Sequence, residues 1–455
     1  MKKKLLLASI IFLFATSLSL GQTITQKITS AYKQFESDSQ LRHAIASLYV
    51  VNARTGTVIF DKNSRVGLAP ASTQKIITSV TAFELLGSAY RYETRFHQLG
   101  SGLFVMGSYD PTLGSWRYGN TRDTNFFDAL TRGLRRKGVA KISSISFARE
   151  GLKNIPSGWI FEDIGNYYGA APLKFNWREN QQDIHFIPGD KVGDAAKIDT
   201  ALTSGWADFV NECTTGPKGS GDNAYVYFIP GSTKLLIQGT IPAGVRRFSI
   251  SSVVVNPACR FTDEFGAYYR LLNFQDEKFD CESAMSVTAP STEPAYIHYS
   301  PTMDSIIYWF NRKSINLYGE ALLRTMGYER KGDHHTDSGV IVVQDFWKNK
   351  NVHPDELNMR DGSGLSPLNR VTTHAQVEIL KYARSRMWFP RFFDALPEFN
   401  GMKMKSGTIS DAKSFCGYHK SKDGNEYIFS FIVNNYNGRA SALVNKMYTV
   451  LDVLK

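Results

Sequence analysis

Cysteine is scarce in this chain: four in 455 residues, Cys213, Cys259, Cys281 and Cys416, with no Cys-x-x-Cys pair. No histidine cluster sits at zinc-ligand spacing, so a disulfide-dense small fold and a zinc-finger framework are both excluded. Long apolar runs are missing after the N-terminus, and no later segment offers the roughly 20 residues that a spanning helix needs. Charge of one sign does not cluster either. Lys plus Arg is 53 against 42 acidic residues, but no basic block with interleaved aromatics supports nucleic acid as a partner. Internal repeats and low-complexity tracts are also absent. What remains is the composition of a folded globular protein, 42% hydrophobic, 13% aromatic and 21% charged. The length is several times that of one hydrophobic core, which favours two or more packed units.

The N-terminus indicates a destination. Lys2, Lys3 and Lys4 precede an apolar run from Leu5 to about Leu20, and Ser19 and Gly21 supply small residues ahead of Gln22. A basic start, a short apolar core and small residues before a cut describe a secretory signal peptide. Residues 1–21 are therefore expected to be removed, which takes the net charge from +11 to +8. The run is short for an anchor, and no cysteine follows it for lipid attachment. An exported chain of the periplasm or cell envelope, with no transmembrane anchor after cleavage, is the expectation. Export permits disulfides. Cys259 with Cys281 is the favoured local pair, with Cys213 a competitor for either.

Along the mature chain the texture changes twice. Thr23 to about Gln40 reads as an amphipathic helix. Ala44–Val51 and Thr57–Phe60 read as a hairpin around Asn52-Ala53-Arg54-Thr55-Gly56, and Thr73–Leu86 has helical spacing with Ser72 at its start. From about Arg95 to Pro290 short alternating runs such as Ala224–Ile229 and Lys234–Ile237 dominate, with helical pieces near 124–137 and 261–273. Long helices return at Met303–Met326, Val340–Lys348 and Thr373–Met387. A hairpin pattern, Ser414–Tyr418 with Tyr427–Val433, and a helix over Ala440–Leu454 close the chain. Two α/β pieces thus bracket a mainly β insertion, and the brackets are expected to form one domain.

Three short elements carry chemistry, in this order. Ser72-Thr73-Gln74-Lys75 is Ser-x-x-Lys at a helix start; Ser314-Ile315-Asn316 is Ser-x-Asn within a helical region; Lys405-Ser406-Gly407-Thr408 is Lys-Ser-Gly-Thr ahead of a β pattern. Ser-x-x-Lys alone is weak evidence, since it also occurs at Ser30–Lys33 and Ser410–Lys413, whereas Ser-x-Asn occurs once. The ordered trio in an exported chain is what carries weight. Residues i and i+3 share a helix face, so Lys75 can reach the Ser72 hydroxyl. A serine is a poor nucleophile until a neighbouring base takes its proton. Lys75 can be that base only when neutral, and burial together with the second cation, Lys405, lowers its pKa. Ser314 would relay a proton to the leaving amine, while Asn316 would hold Lys75 and a substrate amide. Lys405 and Ser406 would bind a substrate carboxylate. The backbone N–H groups of Thr408 and Ser72 would face an oxyanion.

With these elements the chain resembles the class C low-molecular-mass penicillin-binding proteins, the DacB-like D-alanyl-D-alanine carboxypeptidase/endopeptidases. The segments Gly107–Leu113, Gly158–Asp163 and Arg360–Ser366 add to the resemblance, as does the 242-residue gap from Ser72 to Ser314. It implies an α+β fold of the β-lactamase/transpeptidase type, an antiparallel sheet packed by helices and split by a large mainly β insertion. Residues 22–95 and 291–455 would be the two parts of that domain, and 96–290 the insertion. It also implies no metal or cofactor, and peptidoglycan stem peptides and β-lactam antibiotics as partners. Ser406 stands where many relatives have threonine, which keeps the hydroxyl. Asp163 is the candidate in the insertion for a carboxyl that meets a diamino acid's free amine, with a helix cap or salt bridge as its alternative.

The expected activity is that of a serine DD-peptidase acting through a Ser72 acyl-enzyme, on D-Ala-D-Ala termini, on D-Ala-diamino-acid cross-links, or on both. A β-lactamase or other serine hydrolase on the same fold is the alternative, against which stands the lack of a recognisable deacylating glutamate motif. A catalytically idle wall-binding scaffold is the third reading. Asp333-His334-His335-Thr336-Asp337 reads as a solvated loop rather than a metal site, and Ser363 as a turn residue without chemistry. Ser366 and Asn369 read as support for the site's wall, and the aromatic stretch Trp159–Tyr168 as packing or a glycan-lining surface.

Overall fold

The computed structural model describes residues 22–139, 141–148, 154–203, 207–273, 279–283, 290 and 292–455. The expected signal peptide lies outside the described residues. Among those residues, no helix is long and apolar enough to cross a membrane.

The central element is a six-stranded antiparallel sheet drawn from both ends of the chain. Its order is Glu398–Phe399, Met402–Ile409, Ala412–Lys420, Glu426–Asn434, Ile45–Asn52 and Val58–Lys62. The N-terminal hairpin therefore docks on the last strand, with Val50 opposite Phe429. Glu426–Asn434 carries the run Tyr-Ile-Phe-Ser-Phe-Ile-Val, apolar on both faces, because both faces of the sheet are covered. On one face Tyr427, Phe429, Phe431 and Val433 pack with Ile28 and Tyr32 of helix Ile24–Glu36 and with Leu443 and Met447 of helix Ala440–Leu451. On the other, Val51, Cys416 and Ile428 meet Ile76, Val80, Phe310, Leu322 and Leu380 from the helices that carry the chemistry. Each fully buried side chain of this size contributes about 2 kcal/mol through burial.

The insertion has two cores. A five-stranded sheet runs in the order Asp280–Ser283, Ser144–Phe147, Gly102–Met106, Glu93–Leu99 and Tyr296–Tyr299. With helices Asp123–Arg136 and Pro257–Asn273 it encloses an aromatic cluster of Phe96, Phe126, Phe127, Trp177, Phe261 and Phe265. This sheet takes in Glu93 and Tyr299, outside the 96–290 span expected for the insertion. The second core, around Ile184, Phe186, Val226, Leu235 and Ile250, is made by two smaller sheets from residues 181–253. Cys259 is disulfide-bonded, whereas Cys213 and Cys416 are buried free thiols, so Cys213 does not compete for that bond. The side chain of Cys281 lies outside the described residues.

The stretch expected as one helix from Met303 to Met326 is two. Helix Met303–Arg312 ends, Ser314 takes φ +58°, and helix Asn316–Lys331 begins. A non-glycine residue in the left-handed region cannot continue a helix, and such conformations are held at functional sites by their surroundings. Ser-x-Asn thus occupies a break between helices rather than a helical interior, and the break turns the Ser314 hydroxyl toward Lys405.

Candidate active site

The serine turn is the first component. Residues Ala71–Gln74 form a 3-10 turn that leads into helix Lys75–Leu85, and Ala71 has φ +47°. Thr73 locks the turn from below: its Oγ1 donates to Pro70 O at 2.7 Å and accepts from Gln376 Nε2 at 3.0 Å, while Ser414 Oγ donates to the same carbonyl at 2.5 Å. Ser72 is half-buried and lines a cleft of about 630 Å³ shared with Ser314, Asn316, Thr408, Asp163 and Tyr168.

Lys75 is fully buried. Its Nζ lies 3.1 Å from Ser72 Oγ, 2.7 Å from Asn316 Oδ1 and 2.7 Å from Ser363 O. Burial pushes its pKa well below the ordinary lysine range, and the Lys405 charge adds to the fall, against opposing pulls from Asp361 and Glu320. Lys405, 2% exposed, donates from Nζ to Ser314 Oγ at 3.0 Å and to Ser406 O at 2.9 Å; burial brings its pKa down to about 7. Two interlocked pairs result, Lys75 with Ser72 and Lys405 with Ser314. Gly407 lets the strand approach the serine turn, since a Cβ there would stand 2.8 Å from Ser72 N and 2.7 Å from Pro70 O.

Asp361 holds this arrangement together and was not singled out by residue type or spacing. Fully buried, it accepts from Gly364 N (2.8 Å), Asn369 Nδ2 (3.0 Å) and Gln74 Nε2 (2.9 Å) at one oxygen. The other oxygen accepts from Ser366 N (2.6 Å) and from Trp159 Nε1 of the insertion (2.9 Å). The loop it organises brings Ser363 O onto Lys75, so Ser363, expected to be a plain turn residue, contributes an acceptor to the base. Gly364 has φ +84°, and a Cβ there would meet Ala71 O at 1.9 Å, which fixes the loop against the serine turn. Ser366 and Asn369 do support this wall, with Ser366 Oγ donating to Gly158 O at 2.9 Å. Below it Glu320 accepts from Gly362 N at 3.0 Å, and burial, then Asp361, raises its pKa to about 8.

The insertion reaches the cleft through Tyr168, whose carbonyl accepts from Asn316 Nδ2 at 2.8 Å. Helix Phe161–Ile164 and strand Asn223–Phe228 place Asp163, Tyr225 and Tyr227 on the same cleft. Asp163 is partly buried, and burial, then Glu162, raises its pKa to about 6. Of the aromatic stretch, Trp159 is buried packing, while Tyr167 and Tyr168 line the cleft. The sequence-predicted residues Ser72, Lys75, Ser314, Asn316, Lys405, Ser406, Gly407, Thr408 and Asp163 therefore come together around one cleft or its supporting strand. His334 lies on the loop between helices Asn316–Lys331 and Thr336–Lys348, where His335 is exposed, but its own ring is half-buried and stacks on Tyr328 with ring centroids 3.9 Å apart. Among the described residues no group of three or more His, Cys, Asp or Glu is placed to hold a metal.

The family model described as the D-Ala-D-Ala carboxypeptidase 3 (S13) family matches residues 28–398. The chain belongs to this family. A D-alanyl-D-alanine carboxypeptidase of Actinomadura sp. strain R39 is 23% identical over 454 residues, covering 91% of this chain and 82% of that protein. The crystal structure of penicillin binding protein 4 (dacB) from Haemophilus influenzae matches with a TM-score of 0.75 at 16% identity, covering 93% of this chain and 98% of that one. A second structure of that protein, complexed with a β-lactam, matches with a TM-score of 0.71 at 16% identity, covering 94% and 99%. The fold of this S13 chain is accordingly the penicillin-binding-protein type with a large insertion, and its activity class is that of a serine-type DD-peptidase.

Asp361→Asn turns an acceptor oxygen into a donor facing N–H groups. The loss is expected to be about 3 kcal/mol of stability, with slowed β-lactam acylation. Thermal melting and single-turnover acylation check both, and an unchanged melting temperature would contradict the role given to Asp361.

Proposed function

We propose that this S13 enzyme is an exported serine DD-peptidase of the cell envelope that cleaves the D-Ala–D-Ala bond of peptidoglycan stems, or the D-Ala–diamino-acid bond of cross-links, through an ester on Ser72. The observation that carries the reading is the contact of a fully buried Lys75 Nζ with Ser72 Oγ at 3.1 Å, flanked by the second cation, Lys405. A neutral Lys75 takes the Ser72 proton as Oγ attacks the D-Ala carbonyl. Negative charge developing on the carbonyl oxygen is met by the N–H groups of Ser72 and Thr408. Collapse of the tetrahedral intermediate breaks the C–N bond, and the leaving amine receives its proton from Lys75 by way of Ser314. Water then attacks the ester, Lys75 again taking the proton, and Ser72 is released.

Substrate placement follows from the same side chains. Asn316, fixed between Lys75 and Tyr168 O, is positioned to meet the amide of the penultimate residue. Ser406 and Thr408 offer hydroxyls on the strand edge for the carboxylate. Asp163, a half-buried carboxyl at the far wall with Tyr168, suits a free amine of the stem's diamino acid. A β-lactam, as in the complexed Haemophilus influenzae protein, presents a strained amide and a carboxylate to the same groups.

Intact mass after incubation with benzylpenicillin tests the nucleophile. A stoichiometric adduct of the drug's full mass is expected on the wild type and none on Ser72→Ala. No adduct with intact penicillin would favour the idle scaffold, and no adduct with hydrolysed penicillin would favour a β-lactamase.

The pH profile tests the base. Acylation requires neutral Lys75, so its rate climbs with pH through a pKa well below the ordinary lysine range. Removing the like charge in Lys405→Met raises that pKa, so the limb moves to higher pH; stopped-flow acylation by a chromogenic β-lactam follows it. A limb that stays in place would separate Lys405 from the tuning of Lys75.

A further inference from the structure

A third lysine stands beside the two that the chemistry uses. Lys413 lies directly opposite Thr408 in the antiparallel register of strands Met402–Ile409 and Ala412–Lys420. Opposed residues share a face of a sheet and successive residues alternate, so Lys413 projects with Ser406 and Thr408, on the face away from Lys405 and Gly407. It is 8% exposed. Its Nζ donates to Thr408 Oγ1 at 2.7 Å and lies 4.8 Å from the centre of the Phe415 ring. Among the described residues no carboxyl lies within ion-pair distance of it, and burial is the cause that brings its pKa down, to about 8.

An ammonium removed from water without a counter-ion is costly, and removing it would be the simpler way to stabilise a sheet. The cost makes sense where an anion arrives. Thr408 lines the cleft together with Ser72, Ser314 and Asn316. Its oxygen accepts from Lys413, which leaves its own hydroxyl hydrogen free to donate, and Thr408 is exposed on the cleft. A carboxylate at Thr408 would then receive a hydrogen bond from a hydroxyl polarised by a buried cation.

We infer that Lys413, acting beside and through Thr408, is the specificity residue that reads a free α-carboxylate on the leaving amino acid. The inference rests on the DD-peptidase reading and goes further, because it names which leaving groups are accepted. A terminal D-Ala and the D-centre of an unmodified diamino acid both carry that carboxylate, whereas a stem amidated at this position does not. Lys405 donates to Ser314 on the opposite face and its charge acts on Lys75, so the two lysines have separable effects.

The test compares a diacetyl-lysyl-D-Ala-D-Ala peptide with its C-terminal amide, in wild type, Lys413→Met and Lys413→Arg. The wild type should favour the carboxylate in kcat/KM. Lys413→Met should raise KM for the carboxylate peptide about tenfold, more than it lowers kcat, and shrink the carboxylate-to-amide preference by about the same factor. Lys413→Arg should restore most of the preference. Equal losses on both peptides, in Met and Arg variants alike, would mark a structural role and overturn the inference, as would an unchanged preference. Cleavage of neither peptide by the wild type would overturn the underlying activity, which an unchanged preference in active variants would not.

Discussion

Lys75 is an amine taken wholly out of water and placed 3.1 Å from the hydroxyl it must deprotonate. Burial of a cation with no carboxylate hydrogen-bonded to it is what makes it a usable base at moderate pH, and the Lys405 charge adds to the effect. Asn316 Oδ1 and Ser363 O orient the nitrogen by accepting from it, and neither carries a charge that would restore its proton. The buried carboxyls nearby, Asp361 and Glu320, are engaged with backbone N–H groups. A direct ion pair to Lys75 would have been stabilising for the amine and damaging to the chemistry.

This constraint explains the split architecture. The serine turn comes from the N-terminal part of the chain, Ser314 and the Asp361 loop from the C-terminal part, and Lys405 from a strand near the edge of the shared sheet. Contacts between these pieces are dense and polar: Thr73 with Gln376 and Ser414, Gln74 with Asp361. The insertion is tied in by Trp159 on Asp361, Gly158 on Ser366 and Tyr168 on Asn316. It therefore supports the reaction centre as well as forming a wall of the cleft, which couples its packing to the geometry of the base.

The trio was legible because its three motifs stand in order along the chain and because Ser-x-x-Lys imposes a local requirement that survives in sequence, a helix face shared by residues i and i+3. The sheet was legible from two-residue alternation and continuous apolar runs such as Tyr427–Val433. Other features depended on distant partners. Nothing local marks Asp361 as the acceptor for Gln74 and Trp159, which lie 287 and 202 residues away in sequence. The helical spacing of Met303–Met326 concealed the break at Ser314, because tertiary contacts override propensity there. Lys413, read as an incidental Ser-x-x-Lys match from Ser410, shows its burial and lack of a counter-ion only once the strands are paired.

Heteronuclear NMR titration of 13Cε-labelled lysines, with Lys75 assigned by Lys75→Arg, measures the central quantity directly. The account predicts that the Lys75 resonance titrates well below the ordinary lysine range in the free enzyme. Titration at or above about 10 would mean that Lys75 is charged at working pH and is not the base that activates Ser72.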